Sequence, residues 1–268
     1  MLAGALEAVT ATLRDGDEVV VADSASRDDA VANVAAAAGA SVVRCDVPGA
    51  SRARNAGAAI ARGDVLAFTD DDCRPERSWL ASIAAAFADP AIGFVCGPVR
   101  ADREGGGLST VDGPLARPDG PGPVDPVALG HGANLAVRRS AFASVRGFDE
   151  QLGPGTRWPA AEDHDLMWRL QREGWTQTFE PGAVVIHHQW RGPAATAATE
   201  FRYGVGAAAF VAKVRAADTA TAAALAERRR RQHVLAHLRR GWQRAAVADA
   251  ARWLGFTIGT LRARRGLD

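Results

Sequence analysis

Apolar positions recur along the chain in two alternating rhythms. Leu2, Leu6, Val9 and Leu13 share one face of a helix predicted over Leu2 to Leu13, and Asp15-Gly16-Asp17 ends it. Glu18 to Ala22 predicts a short buried strand with the exit loop Asp23 to Asp28. An Ala-rich helix from Asp28 to Ala38 stops at Gly39, and a second strand follows at Ser41 to Arg44. The rhythm continues with a helix from Ser51 to Arg62, a strand from Val65, a helix from Ser78 to Phe87 and a strand from Ile92 to Val99. Beyond these come a strand at Ala133 to Val137, a short helix at Arg139 to Val145 and a helix at Glu162 to Glu173. Strands at Thr176 to Phe179 and Ala183 to His187 complete the series, and everything from Ala194 onward reads as helix. Strand and helix alternating with short connections predict an α/β fold with a sheet covered by helices. Two stretches break the rhythm: Gly105 to Pro126, rich in Gly, Pro and Asp, and Gly153 to Pro159 read as loops.

The strand from Val65 runs straight into Asp70-Asp71-Asp72, and Pro75 is expected to end any ladder there. Acids at the carboxyl end of a strand lie where open α/β sheets bind ligands. Three adjacent carboxylates repel one another, which calls for a positive partner. A hard divalent cation carrying nucleotide phosphates is the simplest, and an acidic surface turn is the plain alternative. An EF-hand loop is excluded, because Pro75 stands where that loop needs Gly and Ala81 where it needs Glu.

Composition sharpens this picture in three ways. The 268 residues, 47% of them hydrophobic, suffice for one large domain or one domain with an appendage. The net charge of +1 gives no reason to expect a nucleic-acid partner, but its distribution is uneven. From Glu227 to the end, eleven arginines face three acids, +8, which leaves about −7 for the remainder. Arg228–Arg231, Arg239 and Arg240 are interleaved there with Leu235, Leu238, Trp242, Trp253 and Phe256. Such an arm fits an anionic membrane surface; a homodimer contact, or charge balance within the chain, are the alternatives. Three widely spaced cysteines (Cys45, Cys73, Cys96) argue against a disulfide framework or zinc ribbon and for a reducing compartment. Without a signal-like start or a run long enough to span a bilayer, the expectation is a cytoplasmic protein with an arm able to meet a membrane.

Several blocks then fall in order: Val20-Val-Ala-Asp23-Ser-Ala-Ser26, Ser51-Arg-Ala-Arg54-Asn55-Ala-Gly57, Gly63 to Asp72, Gly132-Ala-Asn134-Leu, Arg146-Gly-Phe-Asp-Glu150, Ala161-Glu162-Asp163-His-Asp165-Leu and His187-His188. Together they resemble the inverting family-2 glycosyltransferases of the GT-A fold, over roughly Leu2 to Arg191. The resemblance implies a mostly parallel mixed sheet flanked by helices over residues 1–191, with a helical basic arm over 192–268. It also implies a nucleotide-sugar donor, a hydroxyl acceptor, a Mg2+ or Mn2+ ion and inversion at the anomeric carbon. Residue by residue, it implies that Asp72 and His187 hold the metal, with His188 as the alternate because neighbouring strand residues face opposite sides. Asp70 or Asp71 is then directed at the ribose and its phosphate, Asp23 at the nucleoside, and Asn134 lies beside the donor sugar. Asp163 is implied as the general base.

Each position has a plainer reading. Asp23 in an exit loop suits an Asx-turn. Arg54 suits a nucleobase carbonyl or a phosphate, or else a solvated helix face. Glu162 and Asp163 complement a helix dipole, though that alone leaves three acids within four residues unexplained. Trp158 suits a stacked sugar or acceptor, or a core beneath its loop. Gly204-x-Gly206-x-x-Ala209 matches a dinucleotide fingerprint but follows helix rather than strand, and is discounted.

The resemblance has one gap. The family opens with an apolar strand, whereas Met1 here begins inside the helix expected after it. The expectation is a start upstream of Met1, with Glu18–Ala22 and Gly63–Thr69 flanking the absent strand; the alternatives are that these two strands close up or that a neighbouring chain supplies the strand. Two other functions compete. A sugar nucleotidyltransferase shares the layering but needs a glycine loop at its start, and this chain has Lys213 as its single lysine. A non-catalytic nucleotide- or glycan-binding scaffold would not need the acids, Asp163 and His187 kept intact.

Overall fold

The computed structural model describes residues 1–103, 109–113, 130–227 and 244–265. In chain order the elements are α1 (Leu2–Thr10), β1 (Val20–Ser24), α2 (Ala30–Ala37), β2 (Ser41–Cys45), α3 (Ala50–Ile60), β3 (Val65–Phe68), β4 (Cys73–Pro75), α4 (Trp79–Ala86), β5 (Ile92–Cys96) and β6 (Val99–Ala101). A 3-10 turn at Gly132–Asn134 leads into β7 (Leu135–Arg138). Then come α5 (Arg139–Ser144), α6 (Glu162–Arg172), β8 (Thr176–Phe179), β9 (Val185–His187), α7 (Pro193–Ala217) and α8 (Arg244–Arg265). The chain divides into two compact units, Met1–Asp149 with Asp163–Gln189, and Glu150–Glu162 with Trp190–Asp268.

The first unit is an α/β body with three ladders: β1-β2, β3-β7-β5-β8 and β4-β9-β6. The sheet was expected to be mostly parallel. It is instead evenly mixed among the described residues. β1–β2, β5–β8 and β6–β9 run parallel; β3–β7, β5–β7 and β4–β9 run antiparallel. No described ladder joins β1 to β3.

The largest sheet is buried on both faces, and period-two alternation puts successive residues in different cores. Phe94 and Val137 join Leu166, Met167 and Leu170 on one side. Val95 and Ala136 join Trp79, Ile83, Phe87 and Val185 on the other. Phe68, Phe142 and Phe148 interlock beside the first core, with ring centroids 5.2 to 5.7 Å apart.

One expectation about strands fails for an identifiable reason, and a proline at a strand end is accommodated for another. The predicted strand from Ile92 to Val99 is two strands in different sheets, because Gly97-Pro98 lets the chain cross over. A Cβ on Gly97 would lie 2.2 Å from the Ala183 carbonyl oxygen, so only glycine fits there. Pro98 has no N–H, and its carbonyl accepts from the Val185 N–H (3.0 Å) and from Asn134 Nδ2 (2.9 Å). Pro75, expected to end any ladder, is the last residue of β4. The His188 N–H bonds the Asp72 carbonyl and the Glu76 N–H bonds the Val184 carbonyl, so positions 72 and 76 carry the ladder bonds. With Pro75 opposite Val185 and Cys73 opposite His187, alternation leaves both pairs at non-hydrogen-bonded sites, where a missing N–H costs nothing.

The second unit packs α7 against α8. Its helices touch backbone to backbone: a Cβ on Gly204 would lie 2.0 Å from the Arg252 carbonyl, and one on Gly255 2.0 Å from the Phe201 carbonyl. Of the glycines in the discounted dinucleotide fingerprint, Gly204 thus serves helix packing, while Gly206 admits the Ala160 backbone, 2.5 Å from where its Cβ would lie. Trp158 is 3% exposed, in a cluster with Leu152, Val205, Ala209, Ala212 and Ala263, and so takes the core reading over the stacking one. Glu200 pairs with Arg252 across the two helices. No helix among the described residues is long and apolar enough to cross a membrane. Residues 105–108 and 114–126 of the Gly/Pro-rich loop lie outside the described residues. So do Arg228–Arg231, Leu235, Leu238, Arg239, Arg240 and Trp242 of the arm.

Candidate active site and metal corner

After β3 the chain turns, with the Cys73 N–H bonded to the Asp70 carbonyl at 3.0 Å. That turn sends the three consecutive carboxylates in different directions, which relieves their repulsion. Asp70 reaches Arg54 on α3 (Oδ1 to Nη2, 2.8 Å), and the Arg54 guanidinium lies over the Phe148 ring at 5.6 Å. Asp71 points outward. Its carboxyl is still pushed up from the ordinary value, first by the solvent it loses on the turn, then by the charges of Asp72 and Asp70. Asp72 turns inward and is 7% exposed.

There Asp72 Oδ1 lies 3.3 Å from His187 Nε2 and 3.7 Å from Cys73 Sγ. The antiparallel β4–β9 register makes Cys73 and His187 a directly opposed pair, so their side chains leave the sheet on the same face. Asp72, Cys73 and His187 present ligand atoms all within 4.8 Å of one another. Burial, and then the charges of Asp70 and Asp72, push the Cys73 thiol well above its ordinary value. His187, not His188, therefore turns to the acids. His188 pairs through Nδ1 with Asp102. Asp102 also accepts from the Gln189 N–H (3.0 Å) and donates its own N–H to the His187 carbonyl (3.2 Å). A carboxylate and an imidazole converging beside two further acids suit Mn2+ or Mg2+, provided waters and diphosphate oxygens complete the shell.

Asp163 occupies a second corner, in the first turn of α6. Its Oδ2 accepts from the Gly132 N–H (2.8 Å) and its Oδ1 from the His164 N–H (2.7 Å). Burial would raise this carboxyl. The His164 imidazole, those two backbone N–H groups and His131 outweigh burial and hold it below the usual carboxylate range. His131 donates from Nε2 to the Ser109 carbonyl (2.7 Å) and accepts at Nδ1 from the Ala133 N–H (3.4 Å). This is the neutral ring, and burial moves its titration down. Gly132 links the two corners. A Cβ added there would sit 3.5 Å from Asp163 Cβ and 3.6 Å from Arg54 Nη2, in ordinary contact with both.

The remaining expected residues have protein partners. Asn134, expected beside the donor sugar, is 2% exposed and has committed its amide: Oδ1 accepts from Trp79 Nε1 (2.8 Å), and Nδ2 donates to the carbonyls of Pro98 (2.9 Å) and Ala183 (2.7 Å). Its side chain ties three segments together rather than facing a ligand. Asp23 serves its own exit loop, accepting from the Ser26 N–H three residues on at 3.0 Å, with Arg44 3.8 Å away. Asp165, adjacent to the acids that open α6, is fully buried and bonds Arg169 (2.8 Å), which itself donates to the Gly147 carbonyl. It braces the Val145–Gly147 turn. Sequence reasoning missed Asp102 and Gln189. Nothing marks Asp102 in its polar run, while Gln189 follows two histidines and is signalled only by that adjacency.

Comparisons with known proteins bear on the family and the fold. Over 152 residues, 52% of this chain, the sequence is 34% identical to a pre-mycofactocin glycosyltransferase of Mycobacterium tuberculosis. A 64-residue stretch, 24% of this chain, is 44% identical to an N-acetylglucosaminyl-diphospho-decaprenol L-rhamnosyltransferase of the same organism. The matched stretches span only 30% and 19% of those relatives' lengths. The fold resembles that of a mannosyltransferase from Pyrobaculum calidifontis, solved with GDP-Man and Mn2+. The TM-score is 0.64 at 21% identity, covering 97% of this chain and 83% of that one. That likeness and the mixed sheet flanked by helices establish a GT-A-like fold. The signature described as Glycosyl transferase family 2 matches residues 1–145, which carry the acidic turn, Arg54 and Asn134 but stop short of Asp163 and His187. As that match takes in more than half of its length, the chain belongs to glycosyl transferase family 2.

Proposed function

We propose that this protein moves a sugar from a nucleotide-sugar donor to an acceptor hydroxyl with inversion, assisted by Mg2+ or Mn2+. The observation that carries the proposal is the convergence of Asp72, in the turn before β4, and His187, on β9, at 3.3 Å in a buried corner. Asp72 and His187 would hold the cation there, and the cation would supply positive charge against the departing diphosphate. Arg54, anchored by Asp70, offers a guanidinium to a phosphate or nucleobase carbonyl on the same edge. Asp163 is the general base. As the acceptor oxygen attacks the anomeric carbon, the bond from that carbon to the diphosphate oxygen breaks. The hydroxyl proton passes to the Asp163 carboxylate. The two N–H donors at Asp163 fix its position, and the His164 imidazole together with them keeps it ionised, so it is ready to accept.

A panel of nucleotide sugars with Mn2+ and simple hydroxyl acceptors tests the reading. Release of nucleoside diphosphate by wild type, absent in Asp163→Asn, is the expected result. Pyrophosphate release would make the protein a nucleotidyltransferase, and binding without any release would make it a scaffold.

On α8, Val247, Leu254 and Leu261, spaced seven apart, and Trp253 are exposed, close to Arg252, Arg262 and Arg264. This stripe supports a proposal that the arm rests on an anionic bilayer. Flotation with acidic-lipid vesicles at low salt should carry the protein up; recovery at the bottom of the gradient would dispose of the idea.

A further inference from the structure

We infer that Gln189 is a positioning residue for the metal corner, setting which ring nitrogen of His187 carries the proton. The inference rests on the reading of Asp72 and His187 as the metal-holding pair. Gln189 Nε2 lies 2.6 Å from His187 Nδ1, and Gln189 is 9% exposed. Its backbone is clamped too. The Gln189 N–H bonds Asp102, whose own N–H bonds the His187 carbonyl. The amide therefore approaches the ring from a fixed origin.

The ring's proton has two homes. In the geometry described, Gln189 Nε2 donates to Nδ1, so the neutral ring's proton sits on Nε2 and points to Asp72 Oδ1 at 3.3 Å. A cation on Nε2 needs the lone pair there, so the proton must reside on Nδ1 and needs an acceptor. Glutamine is the neutral side chain of this reach that meets both demands, since turning its amide over exchanges a donor NH2 for an acceptor oxygen. No net charge changes: the proton leaves Nε2, Nδ1 gains one, and Gln189 changes from donor to acceptor. An aliphatic residue could serve neither state. A glutamate would favour the cation-binding tautomer throughout.

The test reads metal binding and the ring itself, without turnover. Mn2+ affinity is measured by the electron paramagnetic resonance of free Mn2+, on wild type, Gln189→Leu and Gln189→Glu. The ring nitrogens of His187 are followed by 15N NMR with diamagnetic Mg2+. Gln189→Leu should weaken Mn2+ binding by about 10- to 100-fold, and Gln189→Glu should retain it. In wild type the His187 proton should move from Nε2 to Nδ1 on Mg2+ loading, while in Gln189→Glu it should already be on Nδ1. Equal Mn2+ affinity in Gln189→Leu, or a wild-type tautomer unmoved by Mg2+, would overturn the inference. Should Gln189→Leu fail to fold, wild type and Gln189→Glu carry the NMR test alone. A wild type that binds no Mn2+ would instead strike the metal corner itself, and with it the reading on which this inference rests.

Discussion

Asp72 and Asp163 are both buried carboxylates, yet their hydrogen-bond partners differ in kind. Asp72 is met by side chains, an imidazole and a thiol, each able to share or yield its place to a cation. Asp163 has the His164 imidazole beside it as well, but both of its oxygens accept from backbone N–H groups, which no ligand can swing away. A carboxylate held by side chains can exchange partners, whereas one held by backbone amides is fixed in place and in charge. The first suits binding and release of a metal–diphosphate complex. The second suits a base that must be aimed at one proton.

The largest effect that separates the corners is on rate. Asp163→Asn is expected to lower turnover by about 10²- to 10⁴-fold while leaving Mn2+ and nucleoside diphosphate binding intact, as initial rates and calorimetry on the same preparation would read. Loss of binding instead would erase the distinction.

Next comes ligand-linked stability. Saturating Mn2+ and nucleoside diphosphate should stabilise wild type by about 2.7 kcal/mol at 100 times the dissociation constant. Asp72→Ala should lose that gain in a thermal-shift assay and Asp163→Asn should keep it. A shift retained in Asp72→Ala would move the metal elsewhere.

The pH dependence of folding sharpens the contrast further. The Asp163 carboxyl lies below its ordinary value in the folded protein, so the unfolded chain binds that proton more readily. The stability it contributes is complete above the unfolded value and is lost as pH falls through the folded one. Urea titrations of wild type and Asp163→Asn should differ by a constant amount from neutrality down to about pH 5, and converge below about pH 4. A gap that widens on acidification would reverse the assigned shift.

The smallest effect belongs to the neighbouring histidine. His188→Gln should cost less than about 1 kcal/mol, as a partly exposed ion pair does, and leave Mn2+ affinity unchanged, whereas His187→Gln should abolish it. Equal effects of the two substitutions would mean that both rings serve the metal.

The elements themselves were legible in the sequence wherever periodicity and punctuation agreed. Thr176–Phe179 emerged with the bounds expected of it, and α3, α4 and α6 within one or two residues of theirs. The acidic turn stood out because three carboxylates after an apolar run have few structural uses. Pairing was less legible. Whether Gly97-Pro98 continues a strand or moves it to another sheet depends on the Ala183 carbonyl, some 85 residues away in the chain. Trp158, in a Gly/Pro loop, was open to two readings that only the packing of Val205, Ala209 and Ala263 around it could decide.

Local sequence thus determined which chemistry the chain carries: the acids, the paired histidines and the Glu162-Asp163 helix start are side-chain facts that folding does not alter. Tertiary structure alone decided how that chemistry is shared out. The β4–β9 register, set by backbone hydrogen bonds between segments over a hundred residues apart, chose His187 over His188. Other long-range contacts drew the Asn134 amide into Trp79, Pro98 and Ala183, and gave Asp163 the Gly132 N–H that fixes its position. Side-chain direction in a strand repeats every two residues, so a one-residue change of register would have reversed the choice made on β9.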